Sequence, residues 1–293
     1  MKNGSNSKSL AENLRLDREG YSNSFLHKTI ELPINRGIIE KSLIIDSKAS
    51  DSIDRYFLKY HHFSILMNKK RKLALYTACN IDGSKLKDSD DGILRNQEWR
   101  FDPRIEDTSQ IGNEVYKDNP LDRGHLVRRL DPVWGSLEEA KLANKDTFFY
   151  TNCCPQHEKF NRLPWVDLED LILNKAEIES SRLSVFTGPI FNDNDRIYTT
   201  VKIPNEFWKI VIGKDKLKNE FTATAYLLSQ KNLIDTLKTF SPEEAKTYQV
   251  PIKRIVEVTG INFKELIQYD PMDRYKVFGK DFRVIKDISD ILL

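Results

Sequence analysis

The sequence predicts an α+β fold built on antiparallel strands, and three observations carry that expectation. Runs dense in β-branched and aromatic residues recur between Gly, Pro and charged clusters. Helical signals fall between them irregularly, without the βαβ rhythm of a parallel sheet. The composition, 39% hydrophobic and 31% charged over 293 residues, supplies a sizeable core under a solvated surface and excludes a disordered or collagen-like chain.

Residues 1–35 are rich in Asn, Ser, Lys and Glu, with isolated apolar positions such as Leu10, Leu14, Leu16 and Phe25. They are expected as a frayed or loosely helical, flexible polar leader ahead of a single domain over 36–293. The apolar runs 63–67 and 73–79 flank the basic tetrad 69–72 and predict a β-hairpin around a charged turn. Residues 82–119 carry Gly, Asp, Ser and Pro throughout and predict a long irregular excursion, which in a compact domain is usually functional or mobile.

Ser136 and Glu139 stand three apart as a capping box and open a short helix. Thr147-Phe148-Phe149-Tyr150-Thr151 is dense in β-formers and predicts a strand, followed by a turn at Cys153-Cys154-Pro155-Gln156. Trp165, Leu168 and Ile172 then recur at helical spacing, in a helix expected to start near Pro164 and to run to about Ser180. Further strands are expected at 183–186, 207–212 and 221–228, and a second helix start at Ser241-Pro242-Glu243-Glu244.

Forty-six basic against forty-four acidic residues leave a net charge of +2, which neither announces nor forbids a polyanionic partner. The three cysteines, without CxxC spacing, argue against a disulfide framework or a structural zinc site. No stretch approaches the roughly 18–20 apolar residues of a membrane span, and the first 34 residues are too polar for a secretory signal, so a cytoplasmic location without membrane contact is expected.

His125 closes Asp122-Arg123-Gly124-His125, which joins a carboxylate, a guanidinium, a glycine and an imidazole titrating near neutrality. Alone, this tetrapeptide reads more readily as a surface ion pair beside an ordinary strand-end histidine. A second constellation follows, with Asn152, Asn161 and Glu169 at and inside the start of the predicted helix. Eight residues of helix separate Asn161 from Glu169 by about 12 Å and a turn of roughly 80°, too far for two direct ligands of one ion, so one of them should act through water. A neutral carboxamide with several waters suits Mg²⁺, which dehydrates reluctantly. An ion so held keeps its charge for a phosphate oxygen, as phosphodiester cleavage requires. Asn161 also has a bland reading as a helix N-cap, and Glu169 as a solvated helix face.

Asp122-Arg123-Gly124-His125 together with Thr151-Asn152-x-x-Pro155-Gln156-x4-Asn161-x3-Trp165-x2-Leu168-Glu169 resembles the DNA/RNA non-specific endonuclease family, the ββα-metal or His-Me finger nucleases. The likeness extends more weakly to Thr187-Gly188-Pro189-Ile190 and to Arg95-x3-Trp99-Arg100-x-Asp102, over roughly residues 60–260. It implies a Mg²⁺- or Mn²⁺-dependent endonuclease acting on DNA and RNA with little sequence preference. His125 would be the general base, Asn161 the direct metal ligand and Glu169 the holder of a metal-bound water. Arg123 and Arg95 would grip phosphate, with Asp122 and Asn152 as supports. Arg128 and Arg129 would add nucleic-acid contacts. Leu173 stands where relatives often carry arginine, with Lys175 or a distant arginine as its substitute.

Other readings accompany this one. An inactive nucleic-acid-binding module and a structure-specific processing nuclease keep the same fold. Cys153 and Cys154 with His157 form a weak case for a thiol nucleophile and a stronger one for core packing. Trp165 reads as core rather than as a base-stacking platform. His61 and His62 lack an acidic companion at metal-ligand spacing in the sequence. A nuclease without an export signal endangers its own genome, which implies an inhibitor or regulatory partner and suits a defence or toxin effector; homodimers are common among such relatives.

Overall fold

The computed structural model describes residues 18–45, 53–95, 98–178, 181–215, 219–235, 247–274 and 282–285. Its centre is an eight-stranded sheet in the order β1 (Phe57–Lys59), β2 (Phe63–Met67), β3 (Ala74–Asp82), β6 (Arg182–Ile190), β9 (Glu206–Asp215), β10 (Glu220–Ser229), β11 (Thr247–Val250) and β12 (Arg283–Ile285). Every neighbouring pair in it is antiparallel. The expected hairpin is β2–β3, with Phe63 opposite Cys79. Two ribbons stand apart from the sheet, β4 (Leu121–His125) with β5 (Cys153–His157), and β7 (Ile197–Tyr198) with β8 (Val201–Lys202).

Successive side chains of a strand point to opposite faces, and β9 shows what this sheet does with them. Phe207 joins a core shared with Phe160, Trp165, Leu168 and Cys153, whereas Trp208, Ile210 and Ile212 join a second core on the other face. That second core is closed by α4 (Ile252–Thr259) through Ile252 and Ile255, and by Tyr21, Leu26 and Ile30. The described part of the expected leader is therefore packed rather than loosely helical. Arg18 forms a two-pronged pair with Asp146 at 2.7 and 3.0 Å, and the Tyr21 hydroxyl donates to the Ile30 carbonyl at 3.1 Å. A short helix, α1 (Arg36–Lys41), follows, with Asn35 as its N-cap.

The site side is built from α2 (Leu137–Asp146), α3 (Val166–Ile178) and the 82–119 excursion. Helix α2 opens on the predicted capping box, with Ser136 accepting from the Glu139 amide and Glu139 accepting from the Ser136 amide. The other local expectations shift. Residues 147–149 form no strand, 150–152 form a 3₁₀ turn, and the strand lies instead at Cys153–His157, where a turn was expected. Pro155 is tolerated there because a two-stranded ribbon leaves an edge, and a proline in a ribbon need not donate to a ladder. The helix carrying Glu169 is preceded by a single α-turn (Glu158–Phe160) and a π-turn (Asn161–Trp165) and runs to Ile178. The helix start expected at Ser241 lies outside the described residues.

The excursion is held from beneath by a buried network. Arg104 makes two hydrogen bonds to the Asp102 carboxylate, at 2.9 and 2.6 Å, and the Tyr60 hydroxyl donates to the same carboxylate at 2.6 Å. Both ionic partners are nearly free of solvent contact. Breaking a buried pair by deleting one member leaves an uncompensated charge and costs about 3–5 kcal/mol. We therefore expect Asp102→Ala to lower the unfolding free energy by about that amount in a urea titration; a loss below about 1 kcal/mol would mean that Arg104 finds water instead.

Candidate active site

The β4–β5 ribbon sets the positions of the candidate residues. His125 ends β4 opposite Cys153, and Asp122 lies opposite Gln156. The chain leaves the ribbon into the core through Leu126 and Val127, both buried. Asn152 fixes that exit. Its Oδ1 accepts from the Val127 amide at 2.9 Å, and its Nδ2 donates to the carbonyls of Val127 and Thr147 at 2.9 and 3.0 Å. Three backbone groups beside His125 are thus satisfied by one carboxamide, which pins the main chain that carries the imidazole.

Gly124 is explained by its neighbour rather than by its backbone angles. A Cβ there would lie 1.9 Å from Gln156 Oε1. The Gln156 amide is fully enclosed, and neither its nitrogen nor its oxygen has a partner among the described residues.

His125 is enclosed by aromatic rings, with Trp99 at 4.8 Å and Phe148 at 5.2 Å between centroids. Its Nε2 is shielded and has no hydrogen-bond partner among the described residues. Burial, with the positive charges of Arg129 and Arg95 nearby, pushes its pKa down to about 3, because desolvation and like charge both disfavour the imidazolium. The ring is therefore held in the neutral form that can accept a proton.

Asn161 does not act as an N-cap. Its backbone is αR, and His157 caps the preceding turn by accepting from the Lys159 amide. Its Nδ2 instead donates to Asp122 Oδ2 at 3.0 Å, so the amide is oriented by a carboxylate and Oδ1 is the atom left to accept or to ligate. Arg162 completes this arrangement with two hydrogen bonds to Asp122, both 3.0 Å, and an ion pair to Glu158. The sequence reading missed Arg162, although its place beside Asn161 was the available signal.

Glu169 is buried on α3, and burial raises its pKa to about 7. Its Oε1 lies 3.5 Å from Lys209 Nζ. Arg128 hydrogen-bonds the Glu169 carbonyl at 3.1 Å and pairs with Asp170, so its guanidinium is committed to α3. Arg129 donates to Asn144 Oδ1 at 3.3 Å. Arg123 lies over the Tyr116 ring and donates to Asn113, while Arg95 is exposed. Leu173 is part of the core.

The structure thus assembles three clusters: His125 with Trp99 and Phe148, Asn161 with Asp122 and Arg162, and Glu169 with Lys209 and Arg128. The first two are tied together by the three-residue span of β4. Among the described residues no three His, Cys, Asp or Glu side chains converge on a metal position. Asn161 Oδ1, oriented by Asp122, is an oxygen donor of the kind that hard divalent cations accept.

The other candidates are absorbed by packing. Cys153 and Cys154 are free and buried, and burial pushes the Cys153 thiol up to about 12, away from nucleophilic use. Trp165 is buried in the core. His61 and His62 acquire the acidic companions that the sequence spacing did not offer: His61 Nδ1 is 2.8 Å from Asp146, and His62 Nε2 is 2.9 Å from Glu139.

Inserting a methyl group against an enclosed side chain costs typically 1–3 kcal/mol. We expect Gly124→Ala to lower the thermal midpoint and the double variant Gly124→Ala/Gln156→Ala to recover most of the loss. Additive losses in that cycle would show that the glycine answers to something other than Gln156.

The family model described as DNA/RNA non-specific endonuclease matches residues 41–270. An uncharacterized protein of Sinorhizobium fredii, y4fB, is 38% identical over 289 residues, covering 93% of this chain and 43% of that protein, so the chain spans less than half the length of this curated relative. A chain in the crystal structure of the EndoG/EndoGI complex, which concerns the mechanism of EndoG inhibition, is similar with a TM-score of 0.57 and 18% identity, over 72% of this chain and 86% of that one. At that identity the likeness is one of fold. No helix among the described residues is long and apolar enough to cross a membrane.

Proposed function

The chain belongs to the DNA/RNA non-specific endonuclease family, and on that footing we propose that it hydrolyses phosphodiester bonds of DNA and RNA with the help of one Mg²⁺ or Mn²⁺ ion. The observation that carries this reading is the pairing of an oriented carboxamide with an imidazole kept neutral, joined through one short strand. Asn161 Oδ1 is the direct protein ligand, and Asp122 with Arg162 fixes its direction. When bound, the ion supplies positive charge against the phosphate and the departing oxygen.

The His125 imidazole takes the proton of the attacking water, and the aromatic wall of Trp99 and Phe148 keeps the ring from turning away. Arg95, Arg123 and Arg129 attract the backbone phosphates, whose oxygens match the guanidinium fork. Contacts made to phosphate carry no base identity, so sequence preference is weak and salt dependence strong. In a cytoplasmic setting such an activity requires restraint, and the reading includes an inhibitory partner and a role as a defence or toxin effector. The similar EndoG fold is named in an inhibition complex, which supports that part of the reading. Harmless expression without a partner would tell against it.

Removing a general base typically costs about 10²–10⁴ in rate. Purified protein in millimolar Mg²⁺ should nick and linearise plasmid DNA, with His125→Ala slowed by that factor and Asn161→Ala abolishing cleavage while the fold is kept. Intact plasmid with the unaltered protein would overturn the reading.

The pH dependence has a definite sign. A base whose pKa is lowered stays competent to more acid pH, so the acid limb of kcat/KM, which reports the free enzyme, should fall more than one unit below the ordinary histidine value of about 6.5. A limb centred at 6.5 would mean that the imidazole is solvated.

A further inference from the structure

In the middle of β9, on the face that Phe207 and Val211 share with the site-side core, stands a lysine. Lys209 is 1% exposed, and its Nζ lies 5.0 Å from the Trp165 ring centroid and 3.5 Å from Glu169 Oε1. A methionine would fill that space without charge. Burying an ammonium costs several kcal/mol unless it is paired, and replacing a buried ion pair by apolar residues is often neutral or stabilising. Packing therefore does not account for a lysine here.

The arrangement around Glu169 does. Arg128 holds its carbonyl from one side at 3.1 Å, and Lys209 approaches Oε1 from the sheet. The residue is gripped at the main chain and at one side-chain oxygen. Asp131, buried nearby with Oδ1 lacking a partner among the described residues, adds negative charge to the same pocket.

We propose that Lys209 is a positioning residue for Glu169: it anchors one carboxylate oxygen from the sheet, so that the other is presented in a fixed direction to the water shell of an ion held at Asn161. This rests on the reading of the site given above. Lys209 touches neither nucleic acid nor ion; its effect passes through Glu169.

The test uses the full chain with Lys209→Met, Lys209→Arg, Glu169→Gln and the double variant Lys209→Met/Glu169→Gln. Mn²⁺ binding is followed by electron paramagnetic resonance without nucleic acid, and plasmid cleavage is measured against Mg²⁺ concentration. Outer-shell partners of metal sites typically contribute about 10- to 100-fold in affinity or activity. Lys209→Met should weaken Mn²⁺ binding and raise the Mg²⁺ requirement by such a factor, and Lys209→Arg should restore most of both. Should Lys209→Met fail to fold because Glu169 is left unpaired, the double variant removes both charges, and it should match Glu169→Gln alone in metal binding and cleavage.

Wild-type metal binding and Mg²⁺ dependence in Lys209→Met, or a double variant much weaker than Glu169→Gln, would overturn the proposal while leaving the nuclease reading intact. Absence of cleavage by the unaltered protein would remove that reading, and this inference with it.

Discussion

The central sheet has to bury both of its faces, and the rest of the molecule is arranged around that requirement. Strands β3, β6, β9 and β10 alternate side chains between two separate cores, so each face needs its own cover. One face is closed by α4 and by the packed segment containing Tyr21, Leu26 and Ile30. The other is closed by α3, the π-turn before it and the β4–β5 ribbon, and it is this second cover that carries the candidate chemistry. The site is thus part of a lid that the core demands, which gives its residues a rigid base.

Rigidity within the lid comes from side chains that satisfy backbone groups or each other. Asn152 ties the chain after His125, Asp122 ties Asn161 and Arg162 together, and Arg104 with Asp102 supports the excursion that brings Trp99 against the imidazole. The ties made by Asn152 and Asp122 join residues far apart in the sequence, and Tyr60 fastens the local Arg104–Asp102 pair to the sheet. Orienting groups of this kind matter because a base or a ligand acts only within a narrow range of distance and angle.

Much of this was legible in the sequence, for identifiable reasons. The long strands around Phe63, Val185, Phe207 and Phe221 announced themselves because sheet residues buried on both faces leave runs of apolar and β-branched side chains. The capping box at Ser136 was readable because it is a local interaction. The 147–151 run misled because Phe148 and Phe149 are apolar for tertiary reasons: they pack against Trp99, His125 and Tyr60 rather than lying in a strand. Cys153-Cys154-Pro155-Gln156 resembles a turn because a proline argues against a central strand, and nothing local announces the isolated ribbon that Cys153–His157 enters. The grouping of Asp122 with Asn161 and Arg162, and the approach of Lys209 to Glu169, are products of folding. The only trace of the latter was a single charge inside the apolar run of β9.

The turn between β1 and β2 places two consecutive histidines against opposite ends of α2: His62, in a left-handed backbone conformation, meets Glu139 in the first turn, and His61 meets Asp146 in the last. Turn and helix are consequently one mechanical part, although 77 and 85 residues of chain separate the paired side chains. In evolution they should drift as a unit, and a chimaera that transplants the helix from a relative without the matching dipeptide would leave Glu139 without its imidazole and Asp146 to Arg18.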